Sequence, residues 1–327
     1  MRLQRRTLLA LGPLALGPLA LLPPVDATAQ AWPARPVRIL VGYAPGGVND
    51  LLARLVGPFM AERLGQAFPI ENRPGAASNI ATEAVARAAP DGYTLLLVGS
   101  ANAINTTLYD RLNFDFAKDI APVAGLCSVP IALLVNPAVP AKTPAELVAY
   151  AKANPGKLSM ASPGNGSPQH LAGELFKMMA GIDMVHVPYR GGGPAMNDLL
   201  AGQVQVSFGS VASSMQYIRS GQLRALGVTT PQRLDVLPDV PAIAELLPGY
   251  RAIAWYGLGA PVGTPAAIVD RLNEAANAAI ADPKIRERLL DLGATPMPGT
   301  PADFGRLVAE ETQRWAQVVK FSGAKAD

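Results

Sequence analysis

The chain has 327 residues, half of them hydrophobic, and a formal net charge of +3. Setting aside the first 29 residues, which hold Arg2, Arg5, Arg6 and Asp26, leaves 25 basic against 24 acidic groups, a balance that excludes the clustered cationic surface of a nucleic-acid binder. The single cysteine, Cys127, excludes an intramolecular disulfide, and two histidines, His170 and His186, are too few for a histidine-built metal site.

The first residues read as an export leader. Arg2, Arg5 and Arg6 form a positive start, Leu8 to Leu22 an apolar stretch, and Ala27-Thr28-Ala29 or Ala29-Gln30-Ala31 a small-residue cleavage site. Gln4-Arg5-Arg6-Thr7-Leu8-Leu9 resembles a twin-arginine signal. The repeat Gly-Pro-Leu-Ala-Leu at 12–16 and 17–21 puts helix breakers inside the apolar stretch, which argues against a retained membrane anchor. Residues 1–31 are therefore assigned to a signal peptide and the mature chain to the periplasm. Past the leader, no apolar run reaches the roughly 18 residues of a membrane span.

The body reads as repeated strand–loop–helix units. Val37, Ile39 and Val41 make a first strand, followed by Gly42-Tyr-Ala-Pro-Gly-Gly-Val-Asn-Asp50 and a helix near 48–65. Gly46 and Gly47 let backbone N–H groups approach a ligand closely, and Tyr43 lies in the same turn. Asn49 or Asp50 can cap the helix, and Asp50 can orient the loop or accept from a ligand amine. A strand at 68–71, a helix at 76–89 and a strand at 94–98 lead to a third small polar turn, 99–103, whose Ala101 and Asn102 are further candidate ligand contacts.

The nearly continuous apolar run 121–136 is expected to pass from one sheet to another, and the extended run 250–261 to bring the chain back. Between them lie strands at 158–161, 184–188, 204–209 and 223–229, with helices at 143–153, after Ser167, at 193–201 and at 211–219. Helices near 264–280, 283–292 and 301–321 should then pack on the first domain. The expected division is a discontinuous domain 1, residues 32–130 plus 254–327, and a domain 2, residues 131–253. Both should be α/β with parallel sheets, joined by two crossing strands, with a ligand cleft between them at the carboxyl ends of the strands.

The most informative stretch runs from Leu158 to Gly173. Gly164 and Gly166 free a tight turn, Ser167 and Pro168 read as N-cap and first helical residue, and Leu171, Leu175, Met178 and Met179 give the helix one apolar stripe. Free N–H groups and a helix dipole of about half a charge then favour an anion. The stretch holds no lysine or arginine. It suits a carboxylate held by neutral donors, with Ser162, Ser167 and His170 adding side-chain hydrogen bonds; the alternative is a well-capped structural turn.

No Walker pattern, complete Gly-x-Gly-x-x-Gly or Gly-x-Ser-x-Gly elbow occurs, so no cofactor is expected. Ser167 and His170 lie three apart, but His170 reads as a helix-start donor or packed side chain rather than a general base. Tyr189-Arg190-Gly brings either a cation or a flexible turn, while Trp255 and Tyr256 read as core residues that can line a cleft on a hinge strand.

Several motifs in order carry a resemblance: Trp32-Pro-Ala-Arg-Pro-Val, Gly42-Tyr-Ala-Pro-Gly-Gly, Glu71-Asn-Arg-Pro-Gly-Ala, Pro90-Asp-Gly-Tyr-Thr-Leu-Leu, Pro163-Gly-Asn-Gly-Ser-Pro-Gln-His-Leu-Ala-Gly-Glu, His186-Val-Pro-Tyr-Arg-Gly and Leu237-Pro-Asp-Val-Pro. From about Trp32 onward the chain resembles the Bug family, the extracytoplasmic solute receptors of tripartite tricarboxylate transporters. The resemblance implies a class II periplasmic-binding-protein fold that performs no catalysis. It implies a monomer that closes on a small carboxylated molecule and presents it to a membrane permease. It also implies a pincer of the Pro-Gly-Gly loop and the Gly-Ser helix start, here Gly46, Gly47, Gly166 and Ser167. The chain differs from the family pattern at Val48, where Ser or Thr is frequent, and at Gly209 and Ser210, where the family often has Asp-Asn; the last pair belongs to the expected ligand site. The other function class is an exported, hinged, hydrolase-like enzyme, which would need Ser162, Ser167 or His170 activated by a partner.

Overall fold

The computed structural model describes residues 32–189, 191–291 and 293–326. The leader read at 1–31 and the cation read at Arg190 lie outside the described residues.

In chain order the first elements are β1 (Arg38–Val41), α1 (Val48–Leu64), β2 (Ile70–Asn72), α2 (Asn79–Ala86), β3 (Thr94–Gly99), α3 (Ser100–Leu108), α4 (Phe116–Asp119) and β4 (Ile120–Val135). There follow α5 (Pro144–Ala153), β5 (Ser159–Ser162), α6 (Pro168–Ala180), β6 (Val185–Pro188), α7 (Gly192–Leu200), β7 (Val206–Ser210), α8 (Val211–Arg219) and β8 (Arg224–Val228). The chain closes with β9 (Ile253–Pro261), α9 (Ala266–Ala281), α10 (Pro283–Asp291), β10 (Thr295–Pro296) and α11 (Pro301–Ser322). Among the described residues, no helix is long and apolar enough to cross a membrane.

The strands form one curled sheet ordered β2-β1-β3-β9-β4-β7-β5-β6, with β8 and β10 also paired to β4. The apolar run read at 121–136 is β4, and its pairing shows why it is apolar throughout. Residues Ile120 to Pro130 pair with β9, Cys127 and Ser128 also pair with β10, and Ile131 to Val135 pair with β7 and β8. Strand β4 is thus central in both halves of the sheet, where all but Ala121, Pro122 and Ser128 of its residues are buried. Cys127 is completely buried in it, and burial pushes its thiol up to about 12.

Three expectations change. The half-sheets are mixed rather than parallel: β1, β2 and β3 are parallel, as are β5, β6 and β7, but β9 runs antiparallel to β3 and β4, and β4 antiparallel to β7 and β8. The strands that serve the crossings run against their neighbours. The return crossing is made where the Ala252 N–H donates to the Thr229 carbonyl, and β9 belongs wholly to the first half. The helix read at 76–89 begins only at Asn79, because Ala76, Ala77 and Ser78 all have positive φ, at 46°, 49° and 80°. Residue 42 must be glycine for this bend to sit where it does, since a Cβ there would lie 2.0 Å from Ser78 Oγ.

Helix α11 also departs from expectation. Its Trp315, Val318 and Val319 enter one buried cluster with Ile104 and Leu108 of α3 and with Leu171, Leu175 and Phe176 of α6, so it packs on both halves of the molecule. Buried Glu311 fixes its rotation, accepting from Arg251 at 2.7 Å and from Trp315 Nε1 at 2.9 Å. Trp315→Ala should therefore cost about 3–5 kcal/mol of stability, the usual range for emptying a core of a large aromatic. Urea denaturation checks this, and a loss below about 1 kcal/mol would make α11 a surface appendage.

Candidate functional site

A cavity of about 350 Å³ opens between the two halves of the sheet. Three helix N-termini meet there. Asn49 is the second residue of α1, Ser100 and Ala101 open α3, and Pro168 and Gln169 open α6, and all five line the cavity. First-turn amides lack intrahelical partners, and the three dipoles add at one place. No Asp, Glu, Lys, Arg or His is among the described residues that line it. Such an arrangement favours an anion met by neutral donors.

Tyr43 and Tyr256 complete the wall. Burial, with Tyr109 nearby, pushes the Tyr43 hydroxyl up to about 12; burial, with Cys127 and Tyr43, lifts Tyr256 further. Both phenols are neutral at pH 7 and available as donors.

The α1 entrance is held by Asp50. Its carboxylate is 2 % exposed, and Oδ2 accepts from the Gly46 N–H and from Arg54 Nε, both at 2.9 Å, while Oδ1 accepts from Asn72 at 2.9 Å. The Arg54 hydrogen bond, helped by Gly46 and Asn72 against the opposing effect of burial, lowers this carboxyl to about 2. Asp50 therefore orients the loop. Neither Asn49 nor Asp50 caps α1; Gly47 is the N-cap residue, with no side-chain cap.

At α6, Ser167 is the N-cap as read from sequence, but its hydroxyl and the Gly166 amide are committed inside the turn. Ser167 Oγ accepts from the His170 N–H at 3.2 Å and donates to the Gly164 carbonyl at 2.8 Å. The Gly166 N–H donates to His170 Nδ1 at 3.2 Å. Both residues line the cavity, yet these two donors are already spent. Gln169, in the first turn, also lines the cavity. Gly166 has a second role: at φ +70° it lies so near α3 that a Cβ would stand 2.2 Å from Leu108 Cδ2.

The other expected contacts stand behind the wall. Ser162 is fully buried, with Oγ 2.7 Å from His186 Nε2, and His170 is 3 % exposed beneath the turn. Asn102 is buried, accepting from the Gly99 N–H and donating to Thr82; this side-chain cap makes the run read as a polar turn at 99–103 the start of α3. Gly46 and Gly47 shape the α1 entrance without lining the cavity. Gly209 and Ser210 end β7 away from it, Gly209 packed on Leu134 and Ser214 and the Ser210 carbonyl accepting from Ser213 and Ser214. Of the two aromatic residues on β9, Tyr256 lines the cavity and Trp255 is core.

The wall residues that sequence reasoning did not offer as ligand contacts include Ala77, Pro163, Asn165, Gln169 and Gly191. Gln169 had a signal, since it stands two residues after the N-cap. Ala77 had none, because its positive φ is imposed by tertiary packing.

A two-part α/β fold closing on an anion-favouring cleft is that of a periplasmic solute-binding protein. The profile of the tripartite tricarboxylate transporter family receptor, TctC, matches residues 52–323, and the chain belongs to that family. It is similar to protein BugT of Bordetella pertussis, 38 % identical over 301 residues that make up 91 % of this chain and 92 % of BugT. Among solved structures it resembles R. palustris Rpa4515 with adipate, 37 % identical with a TM-score of 0.79 over 90 % of this chain and 99 % of that one. It also resembles MatC from Rhodopseudomonas palustris with bound malate, 36 % identical with a TM-score of 0.76 over 88 % of this chain and all of that one. The protein is thus a solute-binding receptor of the Bug type.

Two outcomes test this geometry. Gly166→Ala should cost about 2–4 kcal/mol, from the left-handed φ and the clash with Leu108, and Leu108→Ala should recover part of it. A double-mutant cycle in urea reads the coupling, and additive costs would mean that Leu108 is not what Gly166 accommodates. For Asp50, the folded carboxyl titrates below the unfolded one, so its stabilisation is present above about pH 4 and lost as pH falls towards about 2. The stability deficit of Asp50→Asn should accordingly hold from pH 7 to about pH 4 and close below it. A deficit that stays constant down to pH 2 would remove the carboxylate from the account.

Proposed function

We propose that the protein captures a small carboxylated molecule between residues 32–130 plus 254–327 and residues 131–253. It closes on the ligand and delivers it, chemically unchanged, to the membrane permease of a tripartite tricarboxylate-type transporter. The observation that carries this reading is the convergence of three helix N-termini on one cavity with no charged side chain among its described lining. The leader directs the chain to the periplasm, where it acts as a monomer. The half-sheets move about β4 near Pro130 and Ile131 and about the Thr229–Ala252 hydrogen bond.

Adipate in one relative and malate in another give the chemical class. The described lining residues include no carboxylate to pair with an ammonium, so the preferred ligand is an acid without an amino group. The hydrolase-like alternative has less support. The strongest Ser–His contact, Ser162 with His186, is buried behind the wall, and His170 Nδ1 is taken by a backbone amide.

Calorimetry of the mature chain against adipate, malate, glutamate and adipamide tests the reading. Adipate or malate should bind saturably and be recovered unchanged. Adipamide should bind on the order of tenfold to a hundredfold more weakly, the usual worth of hydrogen bonds to a charged group. Small-angle scattering should show contraction at saturation, because a ligand touching both halves favours the closed form. Equal binding of adipate and adipamide would sink the anion site.

A further inference from the structure

The two histidines of the chain form a pair. The rings of His170 on α6 and His186 on β6 stack with centroids 3.7 Å apart and planes 11° from parallel. Each is tied to the turn that lines the cavity: His170 Nδ1 accepts the Gly166 N–H, and His186 Nε2 lies 2.7 Å from Ser162 Oγ, which also contacts the Gly164 backbone. We propose that His170 and His186 are positioning residues for the ligand turn Pro163–Gln169, and that protonating His170 releases the turn, so that carboxylate affinity has a built-in loss on acidification. This rests on the carboxylate-receptor reading above.

The chemistry follows from the hydrogen-bond directions. Because Nδ1 accepts, neutral His170 carries its proton on Nε2, which faces the Glu174 carboxylate at 3.6 Å. A second proton has only Nδ1 to occupy, and an N–H there opposes the Gly166 N–H. Donor then faces donor, and the turn must move. The Glu174 carboxylate is the acidic group beside the ring. Burial opposes its ionisation, but His170 and Lys177 outweigh burial and hold its carboxyl below the usual range.

Among the described residues the charged and titratable groups around the ring are few, and β9, also packed on α6, adds the Tyr256 hydroxyl, which burial raises. On α6 they are Glu174 and Lys177, which bonds Glu174 at 3.0 Å and reaches Asp183 at 3.8 Å. His186 comes from β6, and β5 brings only the Ser162 hydroxyl. Towards α6, α3 presents Ile104 and Leu108, β7 presents Phe208, and α11 presents Trp315 and Val318, its Glu311 being engaged by Arg251 and Trp315. The Tyr250 hydroxyl donates to the Ala172 carbonyl and stays protonated, since burial raises it well above its usual range.

The first test needs no ligand. Proton–nitrogen NMR of the mature chain between pH 7.5 and 5.5, a span that brackets imidazole titration, should show the Gly166 amide moving in step with the His170 ring. A Gly166 amide that is indifferent to that titration overturns the proposal whatever the protein binds. The second test compares adipate affinity at the two pH values in wild type and in His170→Asn, whose amide oxygen can accept from Gly166 but does not titrate. Wild type should lose roughly threefold to tenfold more affinity than the variant, which carries the titration of adipate itself as an internal control. Equal pH dependence in the two proteins overturns the proposal. Failure of adipate to bind either protein at any pH counts against the receptor reading and leaves the NMR result to decide the histidine pair.

Discussion

Everything in this molecule hangs on β4, which must be a good central strand in two half-sheets at once. Sixteen residues in one extended run satisfy backbone partners on both sides, first β9 and β10, then β7 and β8. That requirement explains its apolar sequence, the burial of Cys127 within it, and the placing of the cavity where the two half-sheets diverge. Segments that follow β4 build the second half, and β9 restores the first.

The site shows how a cavity can favour an anion with no cation among its described lining residues. A lysine or arginine would bind tightly, but it would also favour any anion of the right charge and leave a buried charge in the empty state. Helix N-termini supply fixed partial charge with no side chain to desolvate or order. Much of the polar apparatus near the cavity serves the shape of the turns. Asp50 holds the α1 loop, Asn102 caps the start of α3, and Ser162, Ser167 and the histidines knit the α6 turn. Neutral tyrosine hydroxyls and first-turn amides are left to meet the ligand.

The sequence disclosed the alternation of strands and helices, the double service of β4 and the start of α6, because each rests on a local pattern: a period, an apolar run, a Ser-Pro cap. It pointed to a carboxylate through glycines followed by helix starts. It hid whatever depends on a distant partner. Small residues at 99–103 look like a turn until Asn102 folds back on Gly99, and Ala76 to Ser78 look helical until the close approach of Gly42 is known. The apolar stripe of α11 announces a buried face without saying that the face is shared. Gly166 and Ser167 look like free donors because helix starts usually have them, whereas the Gly166 N–H meets His170 Nδ1 and the Ser167 hydroxyl meets the Gly164 carbonyl.

The cluster shared by α3, α6 and α11 ties ligand capture to temperature. Any motion that draws α6 from α3 uncovers Leu108 and Ile104, now sealed against Gly166 and the α11 side chains. Exposing such surface raises the heat capacity of the open form, and the force that keeps it covered weakens on cooling. In the hinge motion proposed above, the balance between open and closed forms would be carried partly by water outside the cleft, and opening would come more easily in the cold.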